Sequence, residues 1–108
     1  MMKAKEELIS LMESCLYGLE TNPKRLFGAD GRSKENKVFV MISKNSEFVV
    51  KSDDPEQFEE LQMKGATRWS PHPNRGPMGT WLVLSENMLD DFDGLVMILK
   101  HCYDNLKF

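Results

Sequence analysis

Lys37-Val38-Phe39-Val40-Met41-Ile42, then Ser43-Lys44-Asn45-Ser46, then Glu47-Phe48-Val49-Val50-Lys51, is the stretch whose reading decides the fold. Both flanks are rich in β-branched and aromatic residues, and the link between them is polar. Two strands joined by so short a loop make a β-hairpin. The loop lacks the glycine of the tightest turns, and Asn45 is the residue expected to take up the left-handed backbone there.

Upstream of the hairpin, Leu8, Leu11, Met12, Cys15, Leu16 and Leu19 recur at spacings of three and four, with Lys5, Glu6, Glu7, Glu13 and Glu20 on the other side. That pattern predicts an amphipathic helix from about Lys3 to Leu19, weakened by Gly18 and ended before Asn22-Pro23. The segment Lys24-Arg25-Leu26-Phe27-Gly28-Ala29-Asp30-Gly31 reads as a strand or an extended lead-in, and pattern alone leaves this open. Downstream, Asp54-Pro55-Glu56-Gln57 is a helix start, with Asp54 accepting free backbone N–H groups and Pro55 at the first helical position. Phe58 and Leu61 face inward and Gly65 ends the helix. Thr67-Arg68-Trp69 reads as a short edge strand, Ser70 to Gly79 as a Pro/Gly loop, and Thr80 to Leu84 as an apolar strand. Ser85 is placed to cap a closing helix whose inward positions are Met88, Phe92, Leu95, Val96, Leu99, Cys102, Tyr103 and Leu106.

The order is therefore helix, two or three strands, short helix, one or two strands, long helix. Strands grouped by a hairpin, apart from the terminal helices, point to an α+β fold with a mainly antiparallel sheet and its helices on one face. The 108 residues, 41% of them hydrophobic, fit one domain spanning 1–108 and are too few for a multidomain enzyme. With no apolar run of the roughly 18–20 residues a membrane span needs, and none of the apolar character of a signal peptide in Met-Met-Lys-Ala-Lys-Glu-Glu, the chain is expected to be soluble and cytoplasmic. Cys15 and Cys102 are expected as buried thiols, with a disulfide or a reactive thiol as alternatives. The eight methionines are expected to fill the core.

The formal net charge of -3 argues against strong, nonspecific nucleic-acid binding. Charge is uneven, since Asp53 to Glu60 holds five acids and no base, whereas Leu61 to Ser85 holds Lys64, Arg68 and Arg75 and no acid. No Cys/His/Asp grouping has the spacing of a zinc or iron site, and helix capping accounts for Asp53, Asp54 and Glu56 without a metal. No serine lies in a nucleophile-elbow context. Gly28 to Lys34 has the glycines and bases of a phosphate loop but leads to a strand, where a phosphate loop leads to a helix N-terminus. Arginine does lie near aromatic residues and glycine twice, in Lys24 to Gly28 and in Arg75 to Trp81, which is material for a cleft with a guanidinium fork and an apolar wall. Equally, Arg75 could pair with the acids of Asp53 to Glu60, and Phe27 and Trp81 could be core.

Lys24-Arg25-Leu26-Phe27-Gly28, the two strands of the hairpin, and Gly76-Pro77-Met78-Gly79-Thr80-Trp81-Leu82-Val83-Leu84 with the closing helix together resemble the N-terminal domain of the TfoX competence-regulator family. The similarity spans roughly Thr21 to Tyr103. It implies the order α-β-β-β-α-β-β-α, with Leu26 to Gly31 as a strand, and a regulatory connection. It brings no catalytic mechanism, cofactor or established ligand. The sequence departs from the family at Ala29, where a second glycine is frequent, and at Gly79, where a charged residue is frequent. It also ends before the helical domain of full-length competence regulators.

The resulting expectation is a non-enzymatic interaction or regulatory module without a cofactor, recognising a protein partner or a second copy of itself through a sheet edge or the Arg75–Trp81 loop. Its expected contact residues are Lys24, Arg25, Arg68, His72, Arg75 and Trp81. Two alternatives use overlapping residues. A nucleic-acid accessory domain would bring Lys24, Arg25, Lys64, Arg68 and Arg75 to one face, and an anionic-metabolite binder or unrecognised enzyme would bring His72 close to an arginine in a concave pocket.

Overall fold

In the computed structural model, which describes residues 3–72 and 74–108, the hairpin occupies the middle of a six-stranded sheet. The elements are α1 (Lys5–Cys15), β1 (Asn22–Leu26), β2 (Ala29–Lys34), β3 (Lys37–Ile42), β4 (Phe48–Lys51), α2 (Pro55–Met63), β5 (Thr67–Arg68), β6 (Trp81–Val83), α3 (Glu86–Asp90) and α4 (Phe92–Asp104). The strand order is β1-β2-β3-β4-β6-β5, and each described pair is antiparallel. β3 and β4 pair in the register Val40↔Val50, Met41↔Val49 and Ile42↔Phe48. The fold is α+β with a mainly antiparallel sheet, and its helices pack on one face.

Local chemistry explains most of the boundaries. Asp54 caps α2 by accepting the Glu56 N–H at 3.2 Å, with Pro55 at the first helical position. Ser85 stands at the N-cap of α3 with extended backbone, yet its hydroxyl makes no capping bond. The turn of the central hairpin is organised by Ser43, whose Oγ accepts the Asn45 and Glu47 N–H groups at 3.3 and 3.1 Å. There Ser46 takes the positive φ of 61°, so the left-handed residue is not Asn45.

Three expected boundaries are corrected. α1 stops at Cys15, well short of Leu19, and the chain leaves it through Gly18 at φ 90°. The segment Leu26 to Gly31 is a tight reversal between two strands, so four strands precede α2 where the family resemblance implied three. Phe27 and Gly28, at φ 54° and 74°, form a two-residue turn closed by the pair Leu26↔Ala29. The long closing helix is broken into α3 and α4 at Asp91, whose carboxylate accepts the Gly94 N–H at 3.1 Å and starts α4 afresh. A Cβ at Gly94 would lie 2.3 Å from that carboxylate, so any larger residue there would push the Asp91 side chain out of its capping position. As the first residue of α4, Phe92 is 45% exposed and does not face inward as expected.

A bulge in the β2–β3 pairing at Arg32/Ser33 places Phe39 and Val40 on the same side, so β3 feeds both faces of the sheet. Phe39, Val40 and Ile42 join Phe48, Val50 and Leu82 beneath α1, α2 and α4, against Leu8, Met12, Leu61, Leu95 and Leu99. Val38 and Met41 turn to the other face, where they meet Ala29, Val49, Trp69 and Trp81. Among the described residues no helix packs on that second face. It is roofed by Trp69 and the loop that follows, with Met78 packed against it. Among the described residues no helix is long and apolar enough to cross a membrane.

Candidate functional site

The six residues expected to make contacts are divided between the two edges of the sheet. Lys24 and Arg25 lie on β1 at one edge of the sheet, and Arg68 lies on β5 at the other. Each is engaged locally. Lys24 Nζ donates to the Asn36 carbonyl at 2.7 Å and to its side-chain oxygen at 3.1 Å, closing the β2–β3 turn. Arg25 donates to Asp30 at 2.8 Å and to the Gly28 carbonyl at 3.1 Å, bracing the Phe27-Gly28 turn. Arg68 donates to the Gly79 carbonyl at 2.9 Å while its guanidinium stands 5.7 Å from the centre of the Phe58 ring, so it ties the loop and α2 to the β5 edge.

Trp81 is core. It is 4% exposed, as is Trp69, and the two rings meet edge to face at 6.2 Å. Phe27 adds its ring 5.6 Å from Trp69. His72 and Arg75 belong to a turn in which the Arg75 N–H donates to the His72 carbonyl at 3.0 Å, while His72 Nδ1 accepts the Asn74 N–H at 3.3 Å. Both side chains are exposed, and among the described residues the Arg75 guanidinium has no partner. Of the acids from Asp53 to Glu60, three pair elsewhere: Asp53 with Lys51, Asp54 with His101 and Glu60 with Lys64. Pro73, between the two, lies outside the described residues.

A concave surface does exist, in a part of the molecule that sequence reasoning assigned only to packing. Between α2 and the α3–α4 corner runs a groove of about 480 Å³. Its floor is Leu61, Met88, Met97 and Ile98; its walls carry Asp54, Glu56 and Glu60 from the α2 side and Asp91 from the α4 side. Lys64 is the one ammonium group, held 2.8 Å from Glu60 one helical turn earlier. Counting its carboxylates and the ammonium, the groove carries a formal charge of -3, equal to that of the whole chain.

Gln57 holds the two helices together at the base of this groove. Its Nε2 donates to the Ile98 carbonyl at 3.2 Å, and its Oε1 accepts from Ser52 Oγ at 2.8 Å and from the Cys102 thiol at 3.4 Å. His101 Nε2 lies 2.7 Å from Asp54 Oδ2, a second tie between α4 and the start of α2. The hydrogen bond to His101 holds the Asp54 carboxyl below the usual carboxylate value, helped by the Glu56 N–H.

Asp53, one residue earlier, is 6% exposed. Burial on its own would raise its pKa, but bonds from Lys51 at 2.7 Å, Thr80 Oγ1 at 2.6 Å and the Lys107 N–H at 2.8 Å outweigh that and lower it. Burial pushes the Cys102 thiol up to about 12 and Cys15 up to about 11, so both are thiols at neutral pH and are not activated nucleophiles. Both are free and buried. Among the described residues no group of three or more His, Cys, Asp or Glu side chains is placed to hold a metal ion.

The groove carries a signal that the sequence did contain. The run of acids from Asp53 to Glu60 was visible, and so was Met97. Met97 is 72% exposed and Met63 81%, so these two methionines do not fill the core as expected, whereas Met12 and Met41 do. No protein-family model matches the chain, and no curated protein matches it.

Proposed function

We propose that this chain is a non-enzymatic, cytoplasmic interaction module whose docking surface is the groove between α2 and α4. The observation that carries this reading is an open apolar floor with an acidic rim, in a molecule where Arg25 and Arg68 bond locally and both tryptophans are core. The sheet edges support it by default. β5 is two residues long, and β1 contains Pro23, which has no N–H to offer, so neither edge presents a run suited to strand addition. The regulatory role implied by the resemblance to the TfoX N-terminal family belongs to the same reading, because such a module acts by recognition.

Site-specific photo-crosslinking in cells tests it. A photoreactive residue at Met97 is expected to give a discrete protein adduct that the same residue at Arg75 does not give. An adduct at Arg75 alone would overturn the groove assignment. Salt-sensitive binding of short DNA that is lost on Arg25 and Arg75 substitution would put the nucleic-acid reading in its place.

A further inference from the structure

From the groove's chemistry we infer the class of partner: a basic amphipathic helix of another protein, lying along α2 with its apolar stripe on the Leu61, Met97 and Ile98 floor and its Lys or Arg residues against Glu56, Glu60 and Asp91. This rests on the groove being the docking surface.

Size, charge and surface character agree on that occupant. α2 has nine residues and so is about 13 Å long at 1.5 Å per residue, which matches two to three turns of a bound helix. Apolar side chains at i, i+3 or i+4, and i+7 of such a helix would meet the floor, where methionine adapts to varied shapes. Met97 stands on α4 with its side chain in solvent, available to such a stripe. The acids stand on both walls, so a helix with cations on both flanks of its apolar stripe satisfies them together. Within the groove Lys64 meets Glu60 and His101 meets Asp54, which leaves Glu56 and Asp91, among the described residues, without a cationic partner.

The same charge excludes the other occupants. A second copy of this chain meeting the groove across a two-fold axis would set these acids against themselves. An anionic membrane or a nucleic acid would be repelled. A small metabolite would require enclosure of most of its surface. Here the floor residue Met97 is 72% exposed and Glu56 and Glu60 are exposed rims, so the shape suits a ligand that is itself extended and only half-covered.

The test is an amide-resolved NMR titration of the intact chain with three model peptides of equal length: an amphipathic Leu/Lys helix, its Leu/Glu counterpart, and a Lys/Ser peptide of the same charge with no apolar stripe. The Leu/Lys peptide is expected to bind, shifting the amides of Leu61, Gly94, Met97 and Ile98, while the other two bind at least tenfold more weakly. Glu56→Gln with Glu60→Gln should weaken the Leu/Lys peptide about tenfold, and Met97→Gln about threefold. All three positions are exposed, so the fold is retained and unchanged spectral dispersion verifies it.

Equal binding of the Leu/Glu peptide in the groove would overturn the basic partner while leaving the groove as a docking surface. Equal binding of the Lys/Ser peptide would overturn the amphipathic helix, leaving only diffuse charge attraction. Shifts outside the groove, or none with any peptide, would overturn this inference together with the docking surface on which it rests.

Discussion

Around Trp69 and Trp81, the aromatic rings that looked like the walls of a cleft turn inward and Arg68 bonds to nearby backbone, while Arg75 stands in solvent. Between α2 and α4, acids and methionines that looked like the outer faces of two helices are left standing around open space. The two regions sit on opposite sides of the sheet and differ in what covers the apolar surface. The loop after Trp69 lies on its sheet face and completes it, with Met78 packed on the aromatic cluster and the Met78 N–H donating to the Trp69 carbonyl at 3.0 Å. Over the groove nothing from the described residues plays that part. An aromatic residue near an arginine is therefore evidence of a site only if the rings remain uncovered after the chain has closed.

The largest expected effect separates packing from binding on the loop side. Trp81→Ala should cost about 3–5 kcal/mol in urea unfolding, as removal of a buried ring does. A cost below about 1 kcal/mol would break the contrast, because Trp81 would then be a wall and not core.

Next in size is Asp53, which joins β4, the end of the loop and the last residues of the chain. Asp53→Asn should cost roughly 2–3 kcal/mol, since it removes the anion from a buried pair with Lys51. The same residue makes a pH prediction. Its folded pKa lies below the ordinary 3.8, so ionisation favours the folded state. Its contribution is complete above the ordinary value and disappears as pH falls through the folded one. Thermal unfolding should accordingly be level from pH 7 to about 5 and drop below about pH 4, with a shallower drop in Asp53→Asn. Asp54, lowered by its bond to His101, acts in the same direction.

The smallest stability effects are expected at the surfaces themselves. Met97→Gln and Arg75→Gln should each change unfolding free energy by less than about 0.5 kcal/mol, because neither side chain is buried. Their effects on binding should differ, with the groove variant weakening the Leu/Lys peptide and the loop variant leaving it unchanged. If Arg75→Gln weakened that peptide as much as Met97→Gln, the distinction between the two regions would fail.

Several elements were legible in the residues alone because their causes are local. The β3–β4 hairpin follows from two β-rich runs and a short polar link, and the start of α2 from Asp54-Pro55, whose carboxylate and ring act within two residues of the helix end. The antiparallel sheet with helices on one face followed from their order. The β1–β2 reversal was not legible, because Phe27 at φ 54° is an unusual turn residue whose ring contact with Trp69 joins parts of the chain 42 positions apart. Nor was the break at Asp91, since apolar spacing runs on through it and only the carboxylate's bond to Gly94 marks a new helix.

By itself, then, the sequence determined where the β3–β4 hairpin and α2 begin, which side chains are apolar and where the acids cluster, because those properties act over a few residues. Which apolar surfaces stay open was decided only by the tertiary structure. Gln57 and Ile98, 41 positions apart, fix the spacing of α2 and α4, and Arg68 and Gly79 hold the loop against the opposite sheet face. The groove exists because the first contact leaves a gap between two helices. The tryptophans are hidden because the second pulls a loop across them, and both results depend on which distant segments meet.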